Sequence, residues 1–158
     1  LKSFPPLLYG GGQENGLRSG TEATPAIFGF AAACEDVRAT FVSDTAKERA
    51  FLAQIVDRLS NMDGVVINGC HEASHILSVS IPGVPTQNSI NILQDAGICV
   101  SAGSACAKGH RSHTLTAMGL TPQIMDSSFR ISLSRETTQE DVDALIAGIQ
   151  SILNWKNR

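Results

Sequence analysis

Cys106 stands in the segment Ser101-Ala102-Gly103-Ser104-Ala105-Cys106-Ala107-Lys108-Gly109-His110-Arg111-Ser112-His113, which has the composition expected around a reactive thiol. Small residues on both sides leave the sulfur accessible, and Lys108, His110, Arg111 and His113 bring positive charge that favours thiolate over thiol. A structural cysteine is the commoner fate of a lone Cys, but it gains nothing from a polar, glycine-containing loop. Cys34, which follows Ala31-Ala32-Ala33, fits that structural role and is expected to lie shielded in a helix. Arg130 lies in the alternating segment Phe129-Arg130-Ile131-Ser132-Leu133. A charge there either faces solvent or meets an anion, and a guanidinium suits bidentate capture of a carboxylate.

A third set is Gly10-Gly11-Gly12-Gln13-Glu14 followed by Arg18-Ser19-Gly20-Thr21. Asn15 stands where a dinucleotide-binding GxGxxG needs its last glycine, and the Gly-Lys-Ser/Thr ending of a P-loop is absent. The glycines alone indicate a tight turn. The guanidinium, two hydroxyls and open backbone N–H groups that follow are donors of the kind that hold a phosphate. Histidines accompany cysteines twice: Cys70-His71 with His75, and Cys106 with His110 and His113. Their spacings match no standard zinc pattern, so no metal site is expected.

The elements that must position these groups follow from periodicity and breakers. Residues 1–24 form a Gly- and Pro-interrupted ordered loop, and residues 25–158 form a single small domain. Pro25 to Met62 reads as helix, with Phe51, Ile55 and Leu59 on one face. The β-branched and Ser residues between Thr40 and Ser43 predict a break there, giving two helices. Strands are expected near 65–68, 76–81, 98–100 and 129–133, with a helix over 87–96 closed by Gly97 and a short one over 113–118. Thr137 to Glu140 has the form of a capping box opening a last helix, about 139–155, with Val142, Leu145, Ile149 and Ile152 inward. The pattern predicts an α+β fold, a short antiparallel sheet covered by long helices.

Composition narrows the function classes. The 158 residues are 42% hydrophobic and 17% charged, which excludes disorder driven by low hydropathy and high net charge. A formal charge of −3 offers no basic excess for nucleic acid or an anionic membrane. The longest apolar runs, such as Ile27 to Cys34, are too short to span a bilayer, and no secretory leader pattern is present. Four cysteines without a CxxC pair suit a reduced, cytoplasmic setting. The first residue is Leu1, not Met, which suggests processing or an excised piece of a longer chain.

Taken together, Gly-Gly-Gly-Gln-Glu with Arg-Ser-Gly-Thr-Glu (10–22), Ser-Ala-Gly-Ser-Ala-Cys (101–106), Ala-Met-Gly-Leu (117–120) and Phe-Arg-Ile-Ser-Leu-Ser-Arg (129–135) occur in family order. In them the chain resembles the C-terminal portion of pyridoxal-phosphate-dependent cysteine desulfurases of the NifS/IscS type, within the class V aminotransferases. The resemblance implies the small domain of a fold-type I pyridoxal 5'-phosphate enzyme. In this family the reaction converts L-cysteine to L-alanine and leaves a persulfide on a loop cysteine for delivery to an acceptor. Carried over by motif, Cys106 matches the sulfur-accepting cysteine and Arg130 the arginine that holds the substrate carboxylate. Thr21 matches the threonine that contacts the cofactor phosphate across a homodimer interface. Implied partners are an iron–sulfur scaffold or tRNA-thiolation protein as sulfur acceptor.

Two features depart from the pattern. Six residues separate Cys106 from His113, shorter than in some members. None of Lys2, Lys47, Lys108 and Lys156 sits in the Ser-x-His-Lys context that carries the family's cofactor lysine, and the large cofactor domain is absent from this sequence. A related lyase (selenocysteine lyase-like), a desulfinase or an aminotransferase shares the fold. A non-catalytic docking or zinc-binding domain is the alternative from another class.

Overall fold

A computed structural model describes residues 4–70, 72–103 and 111–157. Among the described residues, eight elements occur in the order α1 (Thr24–Ser60), β1 (Val66–Asn68), β2 (Ile76–Ser80), α2 (Thr86–Asp95), α3 (His113–Ala117), α4 (Pro122–Met125), β3 (Ser128–Ser132) and α5 (Gln139–Lys156). The chain divides into two compact units, residues 1–41 and 42–158.

In the larger unit, three strands form an antiparallel sheet in the order β1-β2-β3. Because strand side chains alternate between faces, Leu77, Val79, Phe129 and Ile131 all fall on one side, and all four are buried. That apolar face meets Leu52, Ile55 and Leu59 from the second half of α1 and Val142, Leu145, Ile149 and Ile152 from α5. The inward faces expected for these helices and the helix-covered antiparallel sheet are therefore present.

Four local expectations are corrected. First, α1 is one continuous 37-residue helix rather than two. Its β-branched residues cost only tenths of a kcal/mol each, about 0.5 at most, and no Gly or Pro intervenes between Phe30 and Ser60 to break it. Second, Cys34 is exposed, because the N-terminal half of α1 presents rather than buries its apolar residues, Phe28 and Phe30 being 76% and 73% exposed. Third, residues 98–100 are not a strand, and only Ser101 bridges to Arg130. The Ile98 amide closes the end of α2 instead, donating to the Leu93 carbonyl at 2.9 Å. Fourth, the capping box is shifted by one residue: Thr138 Oγ1 accepts from Asp141 N, and Asp141 Oδ2 accepts from Thr138 N. Thr137 cannot serve there, since its hydroxyl accepts the Ser134 amide at 2.9 Å.

Candidate functional site

The sheet's second face carries Arg130, the candidate carboxylate-binding residue. Register places Asn68 opposite Ser78 and Ser78 opposite Arg130, and an antiparallel bridge sets Ser101 on the far side of Arg130. Asn68, Ser78, Arg130 and Ser101 thus form one polar row across the face turned away from the core. Asn68 Nδ2 donates to Ser78 Oγ at 3.1 Å and to Ser80 Oγ at 2.8 Å, and Ser80 Oγ donates to the Ile124 carbonyl at 2.9 Å. That last bond explains how Ser80, fully buried, is tolerated: α4 covers it and supplies an acceptor.

Arg130 itself is exposed, and among the described residues its guanidinium has no carboxylate or hydrogen-bond partner. Its backbone is held tightly: Arg130 N donates to Ser101 O at 2.7 Å, and Ser101 N donates to Arg130 O at 3.1 Å. Ser101 Oγ also donates to the Gly103 carbonyl at 3.1 Å, where Gly103 adopts φ +113°. Ser101 was not among the residues expected to matter. It is the residue that joins the segment containing Cys106 to the Arg130 strand.

Cys106, Lys108 and His110 lie outside the described residues, as does His71. On the far side of that stretch, Arg111 forms a two-bond fork with Asp126, Nε to Oδ1 and Nη2 to Oδ2, both 2.8 Å. The hydrogen bonds from Arg111 hold the Asp126 carboxyl below its ordinary value, and the same pairing raises the Arg111 guanidinium. Asp126 also accepts, through its backbone carbonyl, the amide and hydroxyl of Thr86 at the start of α2. This pair could not be found from spacing, because its members are fifteen positions apart with two short helices between them.

In the smaller unit, the glycine-rich segment closes on itself. Leu7 N donates to Leu17 O at 2.7 Å and Ser19 N to Leu8 O at 3.1 Å, so residues 7–8 lie parallel to 17–19. Gly12 N donates to Ser19 Oγ and Gly20 N to Gln13 Oε1, each at 3.2 Å, while Arg18 Nη1 donates to the Gly20 carbonyl at 3.1 Å. Of the backbone amides in 18–21 expected to be open for an anion, those of Ser19 and Gly20 are therefore engaged within the loop. Thr21 remains exposed, with no hydrogen bond to its hydroxyl among the described residues. This donor set fits one corner of a phosphate site, not a whole cofactor pocket. Lys47 donates to the Arg135 carbonyl at 2.7 Å and lies over the Phe51 ring, so it is a structural lysine.

A half-open cavity of about 380 Å³ lies on the core side of the sheet, between Ile55, Cys99, Ile131, Asp141, Val142 and Leu145. It takes in neither Arg130 nor Ser101. Among the described residues, no group of three His, Cys, Asp or Glu side chains is placed to hold a metal ion, and no helix is long and apolar enough to cross a membrane.

The family model for aminotransferase class-V matches residues 1–145. The chain is 35% identical over 150 residues to a cysteine desulfurase IscS of Proteus mirabilis, covering 92% of this chain and 37% of that protein. It is 32% identical over 148 residues to a mitochondrial cysteine desulfurase of Arabidopsis thaliana, covering 89% and 32% respectively. Among solved structures, a NifS-like protein from Rickettsia africae superposes with TM-score 0.81 at 31% identity, covering 94% of this chain and 40% of that one. Another NifS-like protein gives TM-score 0.80 at 35% identity, covering 95% and 39%. The chain spans about a third to two fifths of the length of these relatives. With the sheet, the polar row and the glycine-rich loop all falling within these matches, the chain belongs to the aminotransferase class-V family and is of the NifS/IscS type.

Proposed function

We propose that this chain is the substrate-carboxylate and sulfur-relay portion of a cysteine desulfurase, which converts L-cysteine to L-alanine and carries the sulfur as a persulfide on Cys106. The observation that carries the reading is Arg130: a strand-borne guanidinium, free of any carboxylate among the described residues, bonded through its backbone to the segment that contains Cys106. A cation held on a rigid strand suits the carboxylate of an amino acid, and bidentate pairing fixes that substrate's orientation. Pyridoxal 5'-phosphate, when bound, supplies the electron sink that labilises the substrate's Cβ–S bond. Thr21 would hold its phosphate through the hydroxyl. The Cys106 thiolate attacks the substrate sulfur, so an S–S bond forms as the Cβ–S bond breaks. The electron pair left on Cβ takes up a proton to give the alanine methyl group. A homodimer with the phosphate contact crossing its interface, a cytoplasmic location that keeps the thiol reduced, and a protein acceptor for the persulfide belong to the same reading. An iron–sulfur scaffold and a tRNA-thiolation protein both fit as that acceptor.

Two variants of the holoenzyme separate the roles. Cys106→Ser keeps a small hydroxyl but loses the readily ionised nucleophile, so substrate should still bind while alanine and persulfide production collapse. Arg130→Ala should raise KM, with the loss of a charge-assisted partner costing about 2–5 kcal/mol where it is shielded from water. Full alanine production by Cys106→Ser would refute the assignment of the nucleophile.

A further inference from the structure

The glycine-rich loop holds a device that fixes how Thr21 is presented. Gly20 adopts φ +118°, a region where only glycine is unstrained, and an unrestrained glycine samples many orientations. Yet both peptide planes that flank Gly20 are captured. The plane entering it is held through its N–H, which donates to Gln13 Oε1; the plane leaving it, which leads into Thr21, is held through its carbonyl, which accepts from Arg18 Nη1. Since each peptide unit is rigid, holding two successive planes fixes φ and ψ at Gly20 and so sets the direction of the Thr21 amide and the position of the Cα from which its hydroxyl side chain projects. The neighbouring glycines make room for this. A Cβ on Gly11 would fall 2.9 Å from Gln13 Oε1, and one on Gly10 would fall 3.0 Å from the Ser19 Cβ. Ser19 Oγ adds a second tie to Gly12, so the turn from 12 to 20 is closed at both ends.

We propose that Gln13 is a positioning residue for anion capture by Thr21, acting through the Gly20 peptide and not by touching the phosphate itself. This rests on the reading of Thr21 as the phosphate contact. Gln13 is uncharged and its acceptor oxygen is engaged by Gly20, which makes its route to the anion the Gly20 peptide; a direct contact from its Nε2 would instead add to the effect of Thr21 in a double variant. Replacing that oxygen should therefore weaken phosphate binding only as far as Thr21 contributes to it.

The test uses the holoenzyme with four variants: Gln13→Met (similar length, no acceptor), Gln13→Glu (acceptor retained), Thr21→Val, and the Gln13→Met/Thr21→Val double. Dissociation constants are measured for pyridoxal phosphate and for pyridoxal, which lacks the phosphate. Thr21→Val should weaken pyridoxal phosphate about tenfold and Gln13→Met about fivefold, with pyridoxal unchanged in both. The double should bind no more weakly than Thr21→Val, because Gln13 has no effect once its client hydroxyl is gone. In the cofactor-free protein, Gly20 amide exchange should accelerate in Gln13→Met and return to the wild-type rate in Gln13→Glu. An additive double, an equal loss of pyridoxal and pyridoxal phosphate, or wild-type affinity in Gln13→Met overturns the positioning role while leaving Thr21 in place. Wild-type affinity in Thr21→Val overturns the phosphate reading and the positioning role with it. Should Gln13→Met not yield folded protein, Gln13→Asn withdraws the same oxygen by one methylene and carries the same expectations.

Discussion

Gly148→Ala sets two opposing effects against each other at the place where α5 meets α2. On an exposed helix, alanine would be favoured over glycine by about 1 kcal/mol. At position 148, however, a Cβ would lie 2.6 Å from Leu93 Cδ2 and 3.0 Å from Ile98 Cδ1. Carbon atoms in good contact sit about 3.5–4.0 Å apart, so both neighbours must give way. Leu93 is fully buried, so α2 must back off or Leu93 must leave its rotamer. Overpacking of this kind costs about 1–3 kcal/mol, and two crowded methyls place it in the upper part of that range. The steric cost outweighs the propensity gain, leaving a net loss of about 1 kcal/mol, or about 3–4 °C in Tm for a chain of this size. Urea unfolding and thermal melting of the purified chain both read this. In a Leu93→Val background, where room has been made, the cost of Gly148→Ala should fall by about half or more. A Gly148→Ala chain as stable as wild type would show that α2 and α5 do not approach this closely. The effect reaches the site, because Ile98 leads directly into Ser101 and its bonds to Arg130.

Three further outcomes are expected. Thr138→Ala should cost about 1 kcal/mol in urea unfolding through loss of the α5 cap, whereas Glu140→Gln, at the position expected from sequence, should change stability by less than about 0.5 kcal/mol; the reverse ranking would refute the observed cap. Arg111 lowers the Asp126 carboxyl from its ordinary 3.8, so the pair's contribution is present above that value and is lost as the pH falls through the lowered pKa. Wild type should accordingly lose more stability than Asp126→Asn between about pH 5 and pH 2, and equal losses would dismiss the pair. Cys34 should alkylate readily in the isolated chain because it is exposed; protection of Cys34 there would contradict the placement of its helix face.

Much of the fold was legible because one-face burial writes a period into the chain. Leu77 and Val79 against Ser78 and Ser80 gave β2, and Val142, Leu145, Ile149 and Ile152 gave the inward stripe of α5. The same period cannot tell whether an apolar stripe is covered. Cys34 looks shielded from sequence, yet it is exposed in the structure, as is nearby Phe30. Nor can it foresee a buried serine: Ser80 reads as solvent-facing until the Ile124 carbonyl of α4 is placed above it. The shifted cap has a similar origin. Thr137 and Thr138 are equivalent by composition, and only the competing Ser134 amide decides which one opens α5. Arg130 and Thr21 stand out as candidates through their motifs, whereas the hydrogen bonds of Gln13, Ser101 and Asp126 join partners that spacing does not reveal.

The polar face of the sheet also accounts for why so many supporting bonds converge on one short strand. The stretch 104–110 is flanked by Ser101, bonded to the Arg130 backbone, and by Arg111, forked onto Asp126 just ahead of β3. Thr86 Oγ1 then ties Asp126 and Ser128 to the start of α2. Both flanks therefore take their position from the entry and the middle of β3, whose opposite face is fixed by buried Phe129 and Ile131. Under the proposed chemistry, a substrate held by Arg130 and a thiol carried between Ser101 and Arg111 would share one mechanical reference. A core change beneath Phe129 or Ile131 would then disturb carboxylate binding and sulfur transfer together, whereas a change at Arg111 or Asp126 would act on one flank and leave Arg130 in place.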